Sequence, residues 1–231
     1  MLQRYASAFH GVEVNSSFYR RHRKDTWQRW HDAVPADFRF AVKVPKAITH
    51  DLRLVDTSKE IDIFLDDIGS LAAKLGPLLV QLPPSLAFDG HRVEMFFAHL
   101  RERHASRVVI EPRHESWALP EANALLSAFG IVRVYSDPAK PALRGAVKQD
   151  GFLYLRLHGA AKIYYSSYSQ EELVGFSQLL SYAADGSWCI FDNTASGAAL
   201  RNAFDMITLQ NGKDHSDAPD QNAWSVHLRR T

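Results

Sequence analysis

The stretch VVIEPRHESW, residues 108–117, decides the fold because it passes abruptly from apolar to charged side chains. Val108–Ile110 are β-branched residues, which are typical of a buried strand. Glu111, Arg113 and His114 follow at once. A strand that runs into solvent ends this way, and so does a strand of a parallel α/β fold that ends at a ligand site. The remainder of the chain decides between these two interpretations.

Short apolar strands alternate with amphipathic helical segments along most of the chain. The predicted strands are 11–18, 38–44, 77–83, 107–113, 131–137, 152–159 and 188–193. The predicted helices are 57–75, 93–100, 120–129 and 171–184. This alternation favours βαβ units with parallel strands. We therefore predict an α/β fold, a TIM-type barrel of about seven parallel strands, as one domain over 1–209 with a polar C-terminal tail over 210–231.

The composition is that of an ordinary globular protein. The chain has 231 residues, 46% of them hydrophobic, and a formal net charge of +1. This balance gives no global field that favours nucleic acid, and no window approaches the roughly 18 apolar residues of a membrane span. The single cysteine, Cys189, excludes an internal disulfide framework and a multi-cysteine zinc site. We expect a cytoplasmic location.

Every predicted strand carries polar groups at its C-terminal end. Alternate residues of a strand share a side, so Glu111 lies with Arg113, and Arg156 lies with His158. Because parallel strands end at one edge, these groups are expected to converge on a pocket. The alternative is that they neutralise one another as internal packing. The ionisable residues in question are Glu13, Lys43, Glu111, Arg113, Asp137, Arg156, His158 and Asp192.

Six motifs occur in a fixed order over about residues 5–205. They are VEVNSSFYR (12–20), FAVKVPKAITHD (40–51), KLGPLLVQLPPS (74–85), IEPRHESW (110–117), LYLRLHG (153–159) and FDNTASGAALRNA (191–203). Together they resemble the YecE-like domain of unknown function 72 family. The resemblance implies a TIM-type barrel and no established reaction.

The chain departs from that family pattern at two places. The family opens with a strand reading like GTSGW, whereas this sequence begins with LQRYASAF; we therefore expect a barrel with a gap where the first strand would lie. The family usually has Asn where this chain has Asp192, and an added carboxylate weakens anion binding nearby.

Two carboxylates and two histidines are the candidate acid–base residues. Carboxylates and imidazoles transfer protons near neutral pH when their surroundings tune their pKa values. Two carboxylates from different strands suit a division of acid and base roles. The predicted catalytic residues are Glu13, Glu111, His114 and His158.

A second set of residues is predicted to bind the ligand. Guanidinium groups hold carboxylate or phosphate through paired hydrogen bonds, and the segment after the last strand offers backbone amides at a helix N-terminus. Helix capping or loop structure accounts for several of these residues equally well. The predicted binding residues are Asn15, Tyr19, Lys43, Arg113, Trp117, Arg156, Asn193 and Thr194.

The leading hypothesis is an enzyme that acts by acid–base chemistry on a small polar or anionic, sugar-phosphate-like ligand. No tightly bound cofactor is expected, although a divalent metal on Glu13, Glu111, His114, Asp137 and His158 is possible. The alternatives are a metal-dependent phosphodiesterase or nuclease-like barrel that binds DNA, and a ligand-binding protein without turnover. The expected partner is a small anionic molecule; no membrane is expected, nucleic acid is not favoured, and the sequence predicts no oligomeric state.

Overall fold

A computed structural model describes residues 2–145 and 150–212, and the backbone of residues 225–230. Over these residues, the strands form one sheet in which every neighbouring pair is parallel. The order across the sheet is β5-β4-β3-β2-β1-β9-β8-β7-β6. The strands are β1 Gly11–Val14, β2 Arg39–Lys43, β3 Leu75–Gln81, β4 Val108–Glu111, β5 Ile131–Arg133, β6 Tyr135–Asp137, β7 Tyr154–Leu157, β8 Trp188–Phe191 and β9 Ser225–Arg230.

Helices connect most of the strands. They are α1 Leu2–Ala6, α2 Ser16–Tyr19, α3 Lys24–Asp32, α4 Ser58–Ile68, α5 Gly90–Arg103, α6 Pro120–Ala128, α7 Gln170–Ser181 and α8 Ala198–Asn211. Their starts follow local chemistry: Asp89 accepts from the backbone of Arg92 at the start of α5, and Ser169 with Glu172 forms a reciprocal cap on α7. None of the helices in the described ranges is long and apolar enough to cross a membrane.

The predicted α/β class with parallel strands is confirmed. Six of the seven predicted strands each overlap one observed strand, and the seventh, 131–137, is divided into β5 and β6 by Val134. The prediction for 11–18 was wrong over residues 16–18, which belong to helix α2. The backbone N–H of Val134 donates to the carbonyl of Ile110 in β4. β5 and β6 therefore follow one another directly in the chain and lie at opposite ends of the strand order.

The C-terminal strand corrects two expectations. Ser225–Arg230 falls in the segment predicted as a polar tail, yet it pairs in parallel with both β1 and β8. It occupies the position where the gap was expected. The sequence signal was the alternation of Val226 and Leu228 with polar residues, which was missed because the run is short and follows a long polar stretch. Residues 213–224, the rest of that predicted tail, lie outside the described residues.

The two faces of the sheet have different roles. One face packs on the helices, with β-branched and aromatic residues such as Val42, Ile110 and Phe191 at 0% exposure. The other face carries an apolar layer of nine residues, and polar side chains follow it toward the C-terminal strand ends. Because successive side chains alternate between the faces, a residue two positions after a member of this layer lies on the same face. The layer consists of Ala41, Leu79, Val109, Val132, Val134, Phe152, Tyr154, Trp188 and Ile190.

Candidate active site

Arg156 on β7 lies at the centre of a cluster of buried carboxylates. Its side chain is 2% exposed and makes ion pairs with Glu13, Glu111 and Asp192. The contact with Glu13 is bidentate, from Nε to Oε2 at 3.0 Å and from Nη2 to Oε1 at 2.9 Å. Nη1 donates to Oε2 of Glu111. A fixed guanidinium fork suits this paired geometry, so one cation holds three strands' carboxylates in place.

His158 lies between two of these carboxylates. Its Nε2 is 3.0 Å from Oε1 of Glu111, and its Nδ1 is 2.9 Å from Oδ2 of Asp192. A neutral imidazole has only one N–H, so it cannot donate to both carboxylates. Either the ring is an imidazolium or one of the carboxyl groups carries the proton. The arrangement therefore shares one proton along the line Asp192–His158–Glu111.

Glu111 is ionised despite complete burial. Burial by itself would raise its pKa, but the positive charges of Arg156 and Arg113 and the hydrogen bond with His158 outweigh that effect and hold the pKa well below its usual value. Oε1 also accepts from Ser136 Oγ at 2.7 Å and from Arg113 Nη2 at 2.9 Å. Glu111 therefore accepts hydrogen bonds from these groups and does not carry the proton itself.

Glu13 is fixed from a second side. Asn15 donates from Nδ2 to Oε1 at 2.7 Å, and the Tyr154 hydroxyl donates to Oε2 at 2.8 Å. Burial, followed by the negative charge of Glu13, raises the pKa of Tyr154 well above its usual value. Tyr154 therefore remains a hydrogen-bond donor throughout the physiological pH range, and Glu13 is held by donors on both sides.

A cavity of about 340 Å³ adjoins the cluster. Arg113 and Ser136 line it and also bond to Oε1 of Glu111. Pro112 and Pro138 contribute apolar walls. The cluster and the cavity therefore share two side chains, which connect the buried carboxylate to solvent.

The structure brings together many, but not all, of the predicted residues. Glu13, Asn15, Glu111, Arg113, Arg156 and His158 form the cluster described above. Lys43, 4% exposed, has its Nζ 4.1 Å from the centroid of the Phe18 ring. The catalytic and binding roles assigned to these residues stay predictions.

Two residues of the opening stretch lie elsewhere. His114 accepts from the backbone N–H of Ser116 and contacts its hydroxyl at 2.8 Å, so it caps the turn after β4. Trp117, predicted to wall the pocket, is fully buried, donates to the Leu86 carbonyl and packs edge-on against Phe88. A strand's side-chain direction follows from its period, whereas the direction of a side chain in the following turn does not.

The other binding candidates also lie apart from Glu111. Tyr19 is 70% exposed and lines a separate cavity of about 530 Å³ between α2 and α4. Asn193 donates from Nδ2 to the Ser166 carbonyl and to Asn202, which ties down the loop after β8. The carbonyl of Thr194 accepts from Gly197 in a turn before α8. We assign none of these three contacts to ligand binding.

Four residues of the site were not predicted. Tyr154 and Ser136 contact the carboxylates, and Arg133 and Lys140 line the cavity. Tyr154 had a usable signal, because it lies two positions before Arg156 and so shares its face. Within residues 2–145 and 150–212, no group of three or more His, Cys, Asp or Glu side chains is placed to hold a metal ion.

The chain is similar to proteins of one family. The family model described as "Protein of unknown function DUF72" matches residues 1–223. The UPF0759 protein YecE of Escherichia coli K12 is 33% identical over 82 residues, which are 36% of this chain and 30% of that protein. The match therefore spans less than a third of that relative's length.

Two solved structures have the same fold. A DUF72 family protein from Thermotoga maritima is 27% identical, with a TM-score of 0.78 over 91% of this chain and 88% of its own. A DUF72 family protein from Enterococcus faecalis is 24% identical, with a TM-score of 0.80 over 96% and 92% of the two chains; at that identity the likeness concerns the fold alone. Since the family model covers nearly the whole sequence, this chain belongs to the DUF72 family of proteins of unknown function.

Proposed function

We propose that this protein is an enzyme that binds a small anionic ligand at the C-terminal ends of its strands and transfers protons with Glu111 and His158. The observation that carries the proposal is the 3.0 Å contact between Glu111 Oε1 and His158 Nε2 beside a cavity of ligand size. A carboxylate and an imidazole in hydrogen-bond contact form a pair of groups that can divide the acid and base roles.

We also infer that the sheet closes into a TIM-type barrel. The support is that β5 and β6, the two ends of the strand order, are separated in the chain by Val134 alone. The face that carries Arg156 is then the barrel interior. The C-terminal end of that interior is where TIM-barrel enzymes have their active sites.

Access to Glu111 depends on Arg113 in this proposal. Both Glu111 and His158 are 1% exposed, and Arg113 Nη2 lies 2.9 Å from the carboxylate and 3.4 Å from His158 Nε2. An anion in the cavity competes with Glu111 for this guanidinium. When Arg113 turns toward the anion, Glu111 Oε1 loses a donor and is uncovered on the cavity side.

Glu13 and Arg156 act by positioning rather than by contact with the ligand. Arg156 is engaged by three carboxylates and is 1% exposed, so a ligand anion would have to displace a buried partner. This assignment favours the internal-packing alternative for these two residues. Arg113, whose side chain is 29% exposed, takes the ligand-binding role.

The test is enzyme-dependent chemistry on a panel of small carboxylates and phosphomonoesters. Incubation in D₂O, followed by proton NMR, detects both product formation and exchange of an acidic C–H. We expect Glu111→Gln to slow the reaction by about 10²–10⁴-fold, the usual contribution of a positioned acid or base. Arg201→Ala, a change at an exposed residue of α8, should leave the rate unchanged.

The alternatives predict different results. A rate that is the same in Glu111→Gln contradicts the proposed role of this carboxylate. Saturable binding with no turnover across the panel supports a non-catalytic binding protein. Tight DNA binding that weakens steeply with salt supports the phosphodiesterase alternative.

A further inference from the structure

Arg133 is a buried cation that has no carboxylate partner among residues 2–145 and 150–212. It lies at the end of β5, is 7% exposed and lines the 340 Å³ cavity. Nη1 makes two long hydrogen bonds of 3.3 Å to neutral oxygens, on Trp117 and Asn123, and Nε is buried with no partner. Burial lowers the pKa of Arg133, and no carboxylate opposes the effect. Since buried charges are normally paired, this guanidinium is short of an anion.

The cavity wall repeats the same imbalance. Arg113, Arg133 and Lys140 line it, and no acidic side chain is among the described residues that line it. Arg113 is already paired with Glu111, and its own Nε is buried without a partner. Lys140 makes no ion pair with any residue of the described ranges. Two positive charges, those of Arg133 and Lys140, therefore remain uncompensated.

The rest of the wall is apolar. Pro112, Pro138, Leu143 and Ile163 line the same space. Its volume is at the lower end of the range of about 300–1,000 Å³ found for ligand pockets. The occupant is therefore small, with a charged end and an apolar or flat body.

We infer that this cavity binds a phosphomonoester, with the dianionic phosphate between Arg133 and Lys140 and a small apolar body against the prolines, Leu143 and Ile163. The inference rests on the proposed function, because it places the substrate's headgroup in the cavity beside Glu111. A phosphomonoester carries a charge near −2 above its second pKa of about 6, which matches the two uncompensated cations. A guanidinium holds two phosphate oxygens at once, and the phosphate would supply the partner that Arg133 lacks.

Calorimetry with the full chain at pH 8 tests the charge and the shape of the ligand. Phenyl phosphate and phenyl sulfate have nearly the same shape and differ by one charge. We expect phenyl phosphate to bind at least about tenfold more tightly than phenyl sulfate, and more tightly than inorganic phosphate, which lacks the apolar body. Equal affinities for the two phenyl ligands overturn the inference. Tighter binding of phenylmalonate than of phenyl phosphate also overturns it, in favour of a dicarboxylate.

Substitutions then locate the site. Arg133→Met keeps the bulk of the side chain and should weaken phenyl phosphate binding by at least about tenfold, as expected for the loss of a charge-assisted hydrogen bond. Lys140→Met, at an exposed position that packing does not constrain, should weaken phenyl phosphate more than phenyl sulfate. Arg201→Met should change neither affinity. Unchanged affinity in Lys140→Met, or in a folded Arg133→Met, places the anion elsewhere and contradicts the inference.

The results separate this inference from the proposed function. Binding of phenyl phosphate that depends on Arg133, without turnover of any phosphomonoester, contradicts the acid–base function and leaves the binding site intact. Turnover of a different ligand that depends on Glu111, without phosphomonoester binding, supports the acid–base function and contradicts the inference of a phosphomonoester site.

Discussion

Two buried arginines at the same end of the sheet have opposite surroundings. Arg156 is 1% exposed and meets three carboxylates. Arg133 is 7% exposed and, within the part of the chain that the structure describes, donates to two neutral oxygens at 3.3 Å and to no carboxylate. Burial by itself therefore does not tell whether an arginine serves the fold or a ligand. The number of its anionic partners is the better indicator. An arginine that is already neutralised by carboxylates is stabilised little by an anionic ligand, whereas an uncompensated arginine is stabilised strongly.

Every carboxylate of the cluster around Arg156 has a basic partner. Glu13, Glu111 and Asp192 face Arg156, and Glu111 and Asp192 also contact Arg113 or His158. The cavity wall that contains Arg133 has no carboxylate among its described residues. We interpret the cluster as a fixed frame and the cavity wall as the part of the site that remains available for binding.

The largest effect is expected from removing the cation of the frame. Arg156→Met leaves three buried carboxylates without their shared partner, and breaking a buried ion pair in this way typically costs about 3–5 kcal/mol. The free energy of unfolding from urea titrations should fall by at least that amount. Arg133→Met is the matched control, since it removes a buried charge that has no ion-pair partner among the described residues, and its cost should be far smaller. Similar losses in the two variants would contradict the comparison.

A smaller loss of stability is expected from removing the Tyr154 hydroxyl, which lies where water has no access to the frame. Tyr154 is 0% exposed and donates to Glu13 at 2.8 Å. Tyr154→Phe removes that donor and leaves no space for a water molecule to replace it. The free energy of unfolding should fall by about 1.5–3 kcal/mol, as for hydrogen bonds to charged groups. A loss below about 0.5 kcal/mol would mean that Asn15 and Arg156 satisfy Glu13 by themselves.

The cluster could be predicted from the sequence because strands have a fixed period. Glu111 and Arg156 lie two positions from apolar residues of the same face, Val109 and Tyr154, and parallel strands bring their ends together. The pairing of Arg156 with Glu13 and Glu111 was foreseen only as an alternative. Which of several converging cations is neutralised depends on distances of a few ångströms, and the sequence does not specify these.

The cavity wall was harder to predict. Arg133 lies within the predicted strand 131–137, but its position in the alternation puts it on the opposite face from Val132 and Val134, so a search restricted to one face omits it. Lys140 lies in the segment after β6, where the strand period no longer applies. The unusual feature in the sequence was a charged residue inside an apolar run, IVRVY, and such a residue requires an explanation.

The free energy of unfolding should fall at acid pH because of a residue outside the frame as well as residues within it. Burial lowers the pKa of His104 from 6.5 to about 4. His104 therefore binds a proton below pH 6.5 in the unfolded chain but only below about pH 4 in the folded protein. Because the unfolded state binds more protons in this range, stability is lost as the pH falls from 6.5 to about 4. The ring is 9% exposed, so water screens it little and the loss is about 2 kcal/mol.

Two variants separate the pH dependence of stability that arises from His104 from the pH dependence that arises from Glu111. His104→Gln should flatten the stability profile between pH 6.5 and 4 without abolishing its slope, because burial lowers the pKa of His22 and His50 in the same direction. The pKa of Glu111 is also lowered in the folded state, from 4.5, so its contribution is present above pH 4.5 and is lost at lower pH. Glu111→Gln should therefore lower stability by a constant amount above pH 4.5 and change the slope of the profile only below pH 4.5. A change of slope confined to higher pH would contradict the assignment of the low pKa to Glu111.

The smallest effect is expected where the frame meets the cavity. Ser136 donates to Glu111 Oε1 at 2.7 Å, a bond of the same kind as that of Tyr154 to Glu13, but Ser136 lines the cavity. Ser136→Ala leaves a space that water can enter, and a bridging water restores most of a lost hydrogen bond. The free energy of unfolding should fall by less than about 1 kcal/mol. A loss as large as that of Tyr154→Phe would show that the cavity is closed to water beside Glu111, and the route from ligand to carboxylate would then have to pass elsewhere.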